Sequence, residues 1–173
     1  GQNQRVGIAR AMILSPKLVI CDEAVSALDV SIQAQIIKLL IDLQKEMDLS
    51  MIFISHDLSV VREVSHRVMV LYLGRVVELA DRKAIYDDAR HPYTQALISA
   101  VPIPDPDVEK SRKRLKLEGD LPSPMDPRAQ LRFLKSRLID DPDAEQYRPQ
   151  LQEVSPGHFV AEHDPIETVL ATD

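Results

Sequence analysis

The sequence predicts an α/β fold in layers. Two short apolar runs, Leu18 to Cys21 and Met51 to Ile54, read as strands, and the amphipathic stretch between them reads as a helix. A β-rich pair of runs at 68–79 follows. The order helix, strand, helix, strand, helix, hairpin is that of a layered α/β domain whose parallel strands are joined by right-handed crossovers.

Taken in order, residues 2–15 read as a helix that stops before Pro16, with Val6, Ala9, Ile13 and Leu14 near one face. Lys17 to Cys21 is apolar almost throughout, as parallel strands buried on both faces are. In 30–47, Ile32, Ile36, Leu40, Leu43 and Met47 recur at helical spacing, and Asp29 is placed to cap the helix. Met51 to Ile54 is the next strand, and Asp57 caps a short helix from Leu58 to Ser65. Val68 to Leu73 and Val76 to Leu79 form a hairpin joined at Gly74-Arg75. Asp81 caps a short helix through Tyr86. Pro92 opens another, with Tyr93, Ala96, Leu97 and Ala100 along one face. Ten of the twelve prolines lie from Pro102 onward, so Val101 to Pro106 is extended and 105–125 reads as a linker or wrapping loop. Asp126-Pro127 starts an amphipathic helix carrying Leu131, Leu134 and Leu138, a stripe that serves local packing. Ser155-Pro156-Gly157 is a turn, followed by a short strand from His158 to Ala161. The composition shift near residue 80 divides the chain into 1–80 and a proline-rich 81–173.

The 173 residues are 45% hydrophobic, enough for a real core, and the net charge of -6 argues against nucleic acid as the main partner. No apolar run approaches the ~20 residues of a membrane span. Cys21, the single cysteine, lies inside an apolar strand and reads as a small buried hydrophobe in a reducing compartment. The helix that begins at residue 2 with nothing before it suggests a fragment of a longer protein. The basic run Lys110, Arg112, Lys113, Arg114 and Lys116 is diluted by neighbouring acids and reads as a solvated loop. His158 and His163, with no further ligands nearby in sequence, read as surface residues.

The chemistry lies at the strand ends. The first strand runs into Asp22-Glu23 and the second into Ser55-His56-Asp57. In parallel strands of one sheet these ends share an edge, the edge where open α/β sheets bind ligands. Asp22, Glu23 and His56 would then meet. Such a trio suits hydrolysis of a Mg²⁺-bound nucleotide, with one carboxylate for the cation, one for the attacking water and an imidazole for the terminal phosphate.

Gly1-Gln2-Asn3-Gln4-Arg5 resembles the end of the signature motif of ABC ATPases. Leu18 to Glu23 resembles their Walker B strand with its following glutamate, Ser26 to Asp29 the D-loop, and His56 the switch histidine. The tail narrows the resemblance. His91 to Leu97, Ala100-Val101-Pro102, Gly119 to Pro124 and Pro156 to Val160 are similar to the C-terminal extension of oligopeptide and dipeptide importer ATPases.

The resemblance implies the C-terminal part of a P-loop (RecA-like) nucleotide-binding domain with a mainly parallel sheet, plus the extension. It implies ATP and Mg²⁺ as cofactors. Asp22 would serve the metal and Glu23 and His56 catalysis. Gly1, Gln2, Ser26 and Asp29 would serve nucleotide binding, partly across a dimer, with Asp29 also a cap. Asp57 reads as a cap and Arg5 as an ion-pair partner. A second ATP-binding subunit (identical or not), transmembrane permease subunits and, indirectly, a solute-binding protein would be partners, at the cytoplasmic face of the plasma membrane. Relatives carry cysteines in the stretch corresponding to Met125 to Glu153. Here there are none, so no iron–sulfur cluster is expected. Ala24-Val25 stands where relatives have Pro-Thr. The sequence holds no G-x-x-x-x-G-K-[ST], so residues 1–173 alone are expected not to hydrolyse ATP. Competing readings are an importer ATPase for nickel or glutathione, a DNA-repair or chromosome-maintenance ATPase, and a noncatalytic interaction module.

Overall fold

A computed structural model describes residues 1–102, 115–117, 122–137 and 146–172. The chain is mixed α/β and divides into two compact units, Gly1–Ser65 and His66–Asp173.

The first unit is a parallel strand pair backed by helices. Strand β1 (Leu18–Asp22) pairs with β2 (Ser50–Ile54) from Leu18↔Ser50 to Asp22↔Ile54. Helix α2 (Val30–Glu46) joins them, and its Ile36, Ile37 and Leu40 are buried with Val19 and Cys21 of β1 and with Val60 of α3 (Leu58–Val64). Met47 caps α2 by donating its N–H to the Leu43 carbonyl, and Asp48 turns the chain with φ 48. The strand expectation needs one correction: β1 is buried on one face only. Val19 and Cys21 point into the core, whereas Leu18, Ile20, Ile52 and Ile54 are about half exposed. The apolar run of a two-sided strand is present, but α2 covers one side of it.

Helix α1 (Gln2–Met12) ends earlier than expected, with Ser15 in the left-handed region at φ 47 before Pro16. The expected face is also wrong. Val6, Ala9, Ile13 and Leu14 are exposed, and Ile8 is the residue that enters the core, with Met12 one turn on packed against it.

The second unit is built on a four-stranded antiparallel sheet. Its order is β3 (Arg67–Tyr72), β4 (Arg75–Asp81), β7 (His158–Ala161), β6 (Leu151–Ser155). Leu73 and Gly74 both have positive φ, 47 and 76, the mirror-image two-residue turn whose twist suits a hairpin. Asp81 caps α4 (Arg82–Asp87), and α5 (Pro92–Ala100) starts on its proline. The buried side of α5 is Pro92, Thr94, Ala96 and Ser99, so the expected face of Tyr93, Leu97 and Ala100 is rotated. Ser99 Oγ accepts from the Leu115 N–H at 3.1 Å, tying α5 to β5 (Leu115–Leu117). That strand pairs with β8 (Leu170–Thr172), which follows the short α6 (Ile166–Val169).

The helix expected at Asp126 is a 3₁₀ turn, Pro127–Leu131, capped by Asp126. Leu131 and Leu134 are buried, and Leu138 lies outside the described residues. Most of the expected 105–125 linker also lies outside them. Among the described strands only β1 and β2 pair parallel, which corrects the expectation of a mainly parallel sheet. For the strands that follow one another directly, the physical reason is connectivity. A helix separates β1 from β2, whereas β3–β4 and β6–β7 are joined by turns too short for a crossover.

Candidate active site

The site grows from the carboxyl ends of β1 and β2. The Glu23 N–H donates to the Ile54 carbonyl at 3.0 Å, which extends the ladder one residue past Asp22. Glu23 itself sits at φ 48, in the left-handed region that non-glycine residues seldom occupy. That turn aims its side chain at the end of the neighbouring strand. Glu23 Oε1 lies 2.9 Å from His56 Nδ1, although the two residues are thirty-three positions apart. The imidazole is 77% exposed and the carboxylate 40%, so both open to solvent while touching each other. The hydrogen bond to Glu23 raises the His56 pKa above its ordinary value, helped by the Glu23 charge and by Asp57.

Asp57 anchors the same loop. Its side chain accepts from the N–H groups of Ser59 and Val60 at 2.9 and 3.4 Å, capping α3 as expected. Burial pushes its pKa up, but the Ser59 hydroxyl and these amides together hold it below the usual value. Gln33 Nε2 of α2 reaches its other oxygen at 3.5 Å. Asp29 caps α2 by accepting from the Ile32 N–H at 3.0 Å, and that bond, with the Ser31 hydroxyl, lowers its pKa. Ser26 donates its hydroxyl to the Glu23 carbonyl at 3.1 Å, and the Ser26 N–H reaches the same oxygen at 3.3 Å. The turn therefore closes with Ala24-Val25 in it. Asp22, last residue of β1, is exposed at this edge. Gly1 and Gln2 lie at the start of α1. A Cβ on Gly1 would stand 2.7 Å from Ile32 Cγ2, so the lack of a side chain lets α1 approach α2 this closely. Arg5 is a correction: its guanidinium donates to Gln35 Oε1 at 3.0 Å, a hydrogen bond to a neutral amide.

The structure thus brings Glu23 and His56 into contact, with Asp22 beside Glu23 in the chain. Among the described residues no three His, Cys, Asp or Glu side chains form a metal-holding group. A cation at Asp22 would draw its other oxygens from a phosphate ligand and water, as Mg²⁺ habitually does, and a single exposed carboxylate suits that use.

A second polar cluster, in the other unit, was missed from sequence. Glu78 of β4 is fully buried, and His158, expected at the surface, is 4% exposed. Three N–H donors converge on the Glu78 carboxylate: the Arg90 and His91 amides at 2.7 and 3.0 Å and His158 Nε2 at 2.7 Å. His91 caps α5, its Nδ1 accepting from the Tyr93 N–H at 3.2 Å. Burial, with the nearby His163, lowers the His91 pKa to about 3. Two signals pointed here. A glutamate interrupts an apolar β-run, and a histidine precedes the proline of a helix start, where a cap belongs.

Residues 77–135 match the family described as Oligopeptide/dipeptide transporter, C-terminal region. The oligopeptide transport ATP-binding protein OppF of Haemophilus influenzae is 54% identical over 161 residues, 93% of this chain and 48% of that protein. OppF of Salmonella typhimurium is 58% identical over 152 residues, 88% of this chain and 46% of that protein. The oligopeptide transport ATP-binding protein AppF of Bacillus subtilis is 50% identical over 163 residues, 94% and 50% respectively. The chain spans about half the length of these curated relatives.

Proposed function

We propose that the longer protein to which this chain corresponds is the ATP-binding subunit of an oligopeptide importer of the ABC type, and that Glu23 and His56 are its catalytic pair. The observation that carries the reading is the 2.9 Å contact between Glu23 and His56 at one end of a parallel strand pair. The high identity to ATP-binding proteins of oligopeptide transport supports the same reading. On it, residues 1–80 are the C-terminal portion of a P-loop nucleotide-binding domain and 81–173 the extension. No helix among the described residues is long and apolar enough to cross a membrane. Attachment to the cytoplasmic membrane face would run through permease subunits, and a second ATP-binding subunit would complete each nucleotide site.

Asp22 would hold Mg²⁺, which supplies charge neutralisation for the transferred phosphoryl group when bound. Glu23 acts as general base or water-orienting group, and its contact with His56 fixes the carboxylate in direction. With Nδ1–H given to Glu23, His56 Nε2 donates toward phosphate oxygens when the ring is the imidazolium, the form that the Glu23 contact favours by raising the His56 pKa. Gly1 and Gln2, at the start of α1, would offer backbone N–H groups to a phosphate held by the second subunit. Ser26 and Asp29 would face that subunit while keeping their local hydrogen bonds.

The test is ATP hydrolysis by the longer protein, compared with Glu23→Gln and Asp22→Asn variants. A loss of at least a hundredfold in both supports the reading, within the range of a missing general base. Unchanged turnover in Glu23→Gln refutes it. Residues 1–173 by themselves are expected to show no turnover.

A further inference from the structure

The structure assigns Ser26 a role that its motif does not describe. We propose that Ser26 is a positioning residue, which holds the Glu23 backbone in its left-handed turn and so keeps the Glu23 carboxylate on His56. The Glu23 peptide is pinned on both sides. Its N–H is taken by the Ile54 carbonyl of β2 at 3.0 Å. Its carbonyl accepts twice from Ser26, from the hydroxyl at 3.1 Å and the N–H at 3.3 Å. Such pinning is needed, because a glutamate at φ 48 relaxes toward the extended or right-handed regions when nothing opposes it. A relaxed φ swings the side chain away from the β2 end, and the contact with His56 goes with it. Val25, 2% exposed, anchors the middle of the turn in the core, so the hydrogen bonds to the Glu23 N–H and carbonyl hold its start. The Ser26 side chain, although exposed, thus spends its donor on the chain rather than on a ligand.

The functional meaning rests on the proposed catalytic pair, but the positioning stands apart from it, and two measurements separate them. The first uses residues 1–173 and nitrogen-15 NMR at fixed alkaline pH. A carboxylate acceptor holds His56 in the Nδ1–H tautomer, whereas a free imidazole favours Nε2–H. Wild type and Ser26→Thr, which keeps the hydroxyl, are expected to show the Nδ1–H form. Ser26→Ala is expected to shift toward the Nε2–H mixture with the core resonances of Ile36 and Leu40 unmoved. An unchanged His56 tautomer in Ser26→Ala overturns the proposal. The second uses the longer protein. Ser26→Ala is expected to lower kcat by roughly three- to tenfold, the worth of one hydrogen bond, with KM for ATP unchanged and Ser26→Thr restoring the rate. A rise in KM with kcat preserved means that Ser26 contacts the nucleotide, and overturns the proposal. Absence of ATP hydrolysis in the wild-type longer protein sinks the catalytic reading while leaving the tautomer result to decide the role of Ser26.

Discussion

Replacing His91 by asparagine should flatten the acid limb of stability in the second unit. In the folded chain His91 is buried, its Nδ1 accepts the Tyr93 N–H, and its pKa lies at about 3. Unfolded, it titrates near ~6.5. The unfolded state therefore binds the extra proton between those values, so stability is lost as pH falls from about 6.5 toward 3 and is fully present above it. Each pH unit in that window is worth up to ~1.4 kcal/mol, so acidification from 6.5 to 4.5 should cost on the order of 2–3 kcal/mol through this residue alone. Asparagine is a good N-cap without a proton to bind. The variant should keep most of the neutral-pH stability and lack this part of the acid slope, and the difference between the two proteins cancels every other titrating group. The assay is urea unfolding followed by near-ultraviolet tyrosine dichroism. All four tyrosines, Tyr72, Tyr86, Tyr93 and Tyr147, lie beyond Ser65, so the signal reports the second unit. Parallel pH profiles for wild type and His91→Asn would refute the reasoning, because they would mean that His91 charges freely in the folded state.

Three further outcomes follow. Glu23→Gln should lower the His56 pKa toward its ordinary value, since the Glu23 hydrogen bond is the largest cause of the rise. Proton NMR titration of the imidazole checks this, and an unmoved midpoint counts against the contact. His158→Ala removes one of three donors from the fully buried Glu78 and should cost roughly 3–5 kcal/mol by the same tyrosine assay, whereas a loss below 1 would mean that the cluster is wet. Ile36→Ala, at a fully buried position against β1, should cost about 2–5 kcal/mol in the first unit, read from amide exchange of Val19 and Cys21.

Local signals in the sequence were read well where one residue dictates the geometry. Asp29, Asp57, Asp81 and Asp126 all cap the segments that follow them, because a short acceptor before an amphipathic run has few other uses. The pairing of Glu23 with His56 was legible for a related reason, since two apolar strands joined by a helix place their carboxyl ends together. What failed depended on which face tertiary packing covers. In α1, Ile8 and Met12 pack inward, while the more numerous apolar residues Val6, Ile13 and Leu14 face out. Strand β1 carries the composition of a doubly covered strand and is covered once. The Glu78 cluster could not be assembled from its sequence signals, because its partners come from residues 90, 91 and 158, and the pairing of β4 with β7 is what brings His158 to Glu78. His158 reads as a surface residue until the antiparallel pairing of β7 turns it inward.

The central claim is that Glu23 and His56 act as one unit on the attacking water and the phosphate. Single-turnover ATP hydrolysis by the longer protein, with Glu23→Gln, His56→Ala and the double variant, tests it most directly. Residues that work together lose their effect together, so the double variant should be no slower than the slower single one. Losses that multiply, each variant costing its full factor in the presence of the other, would contradict the account.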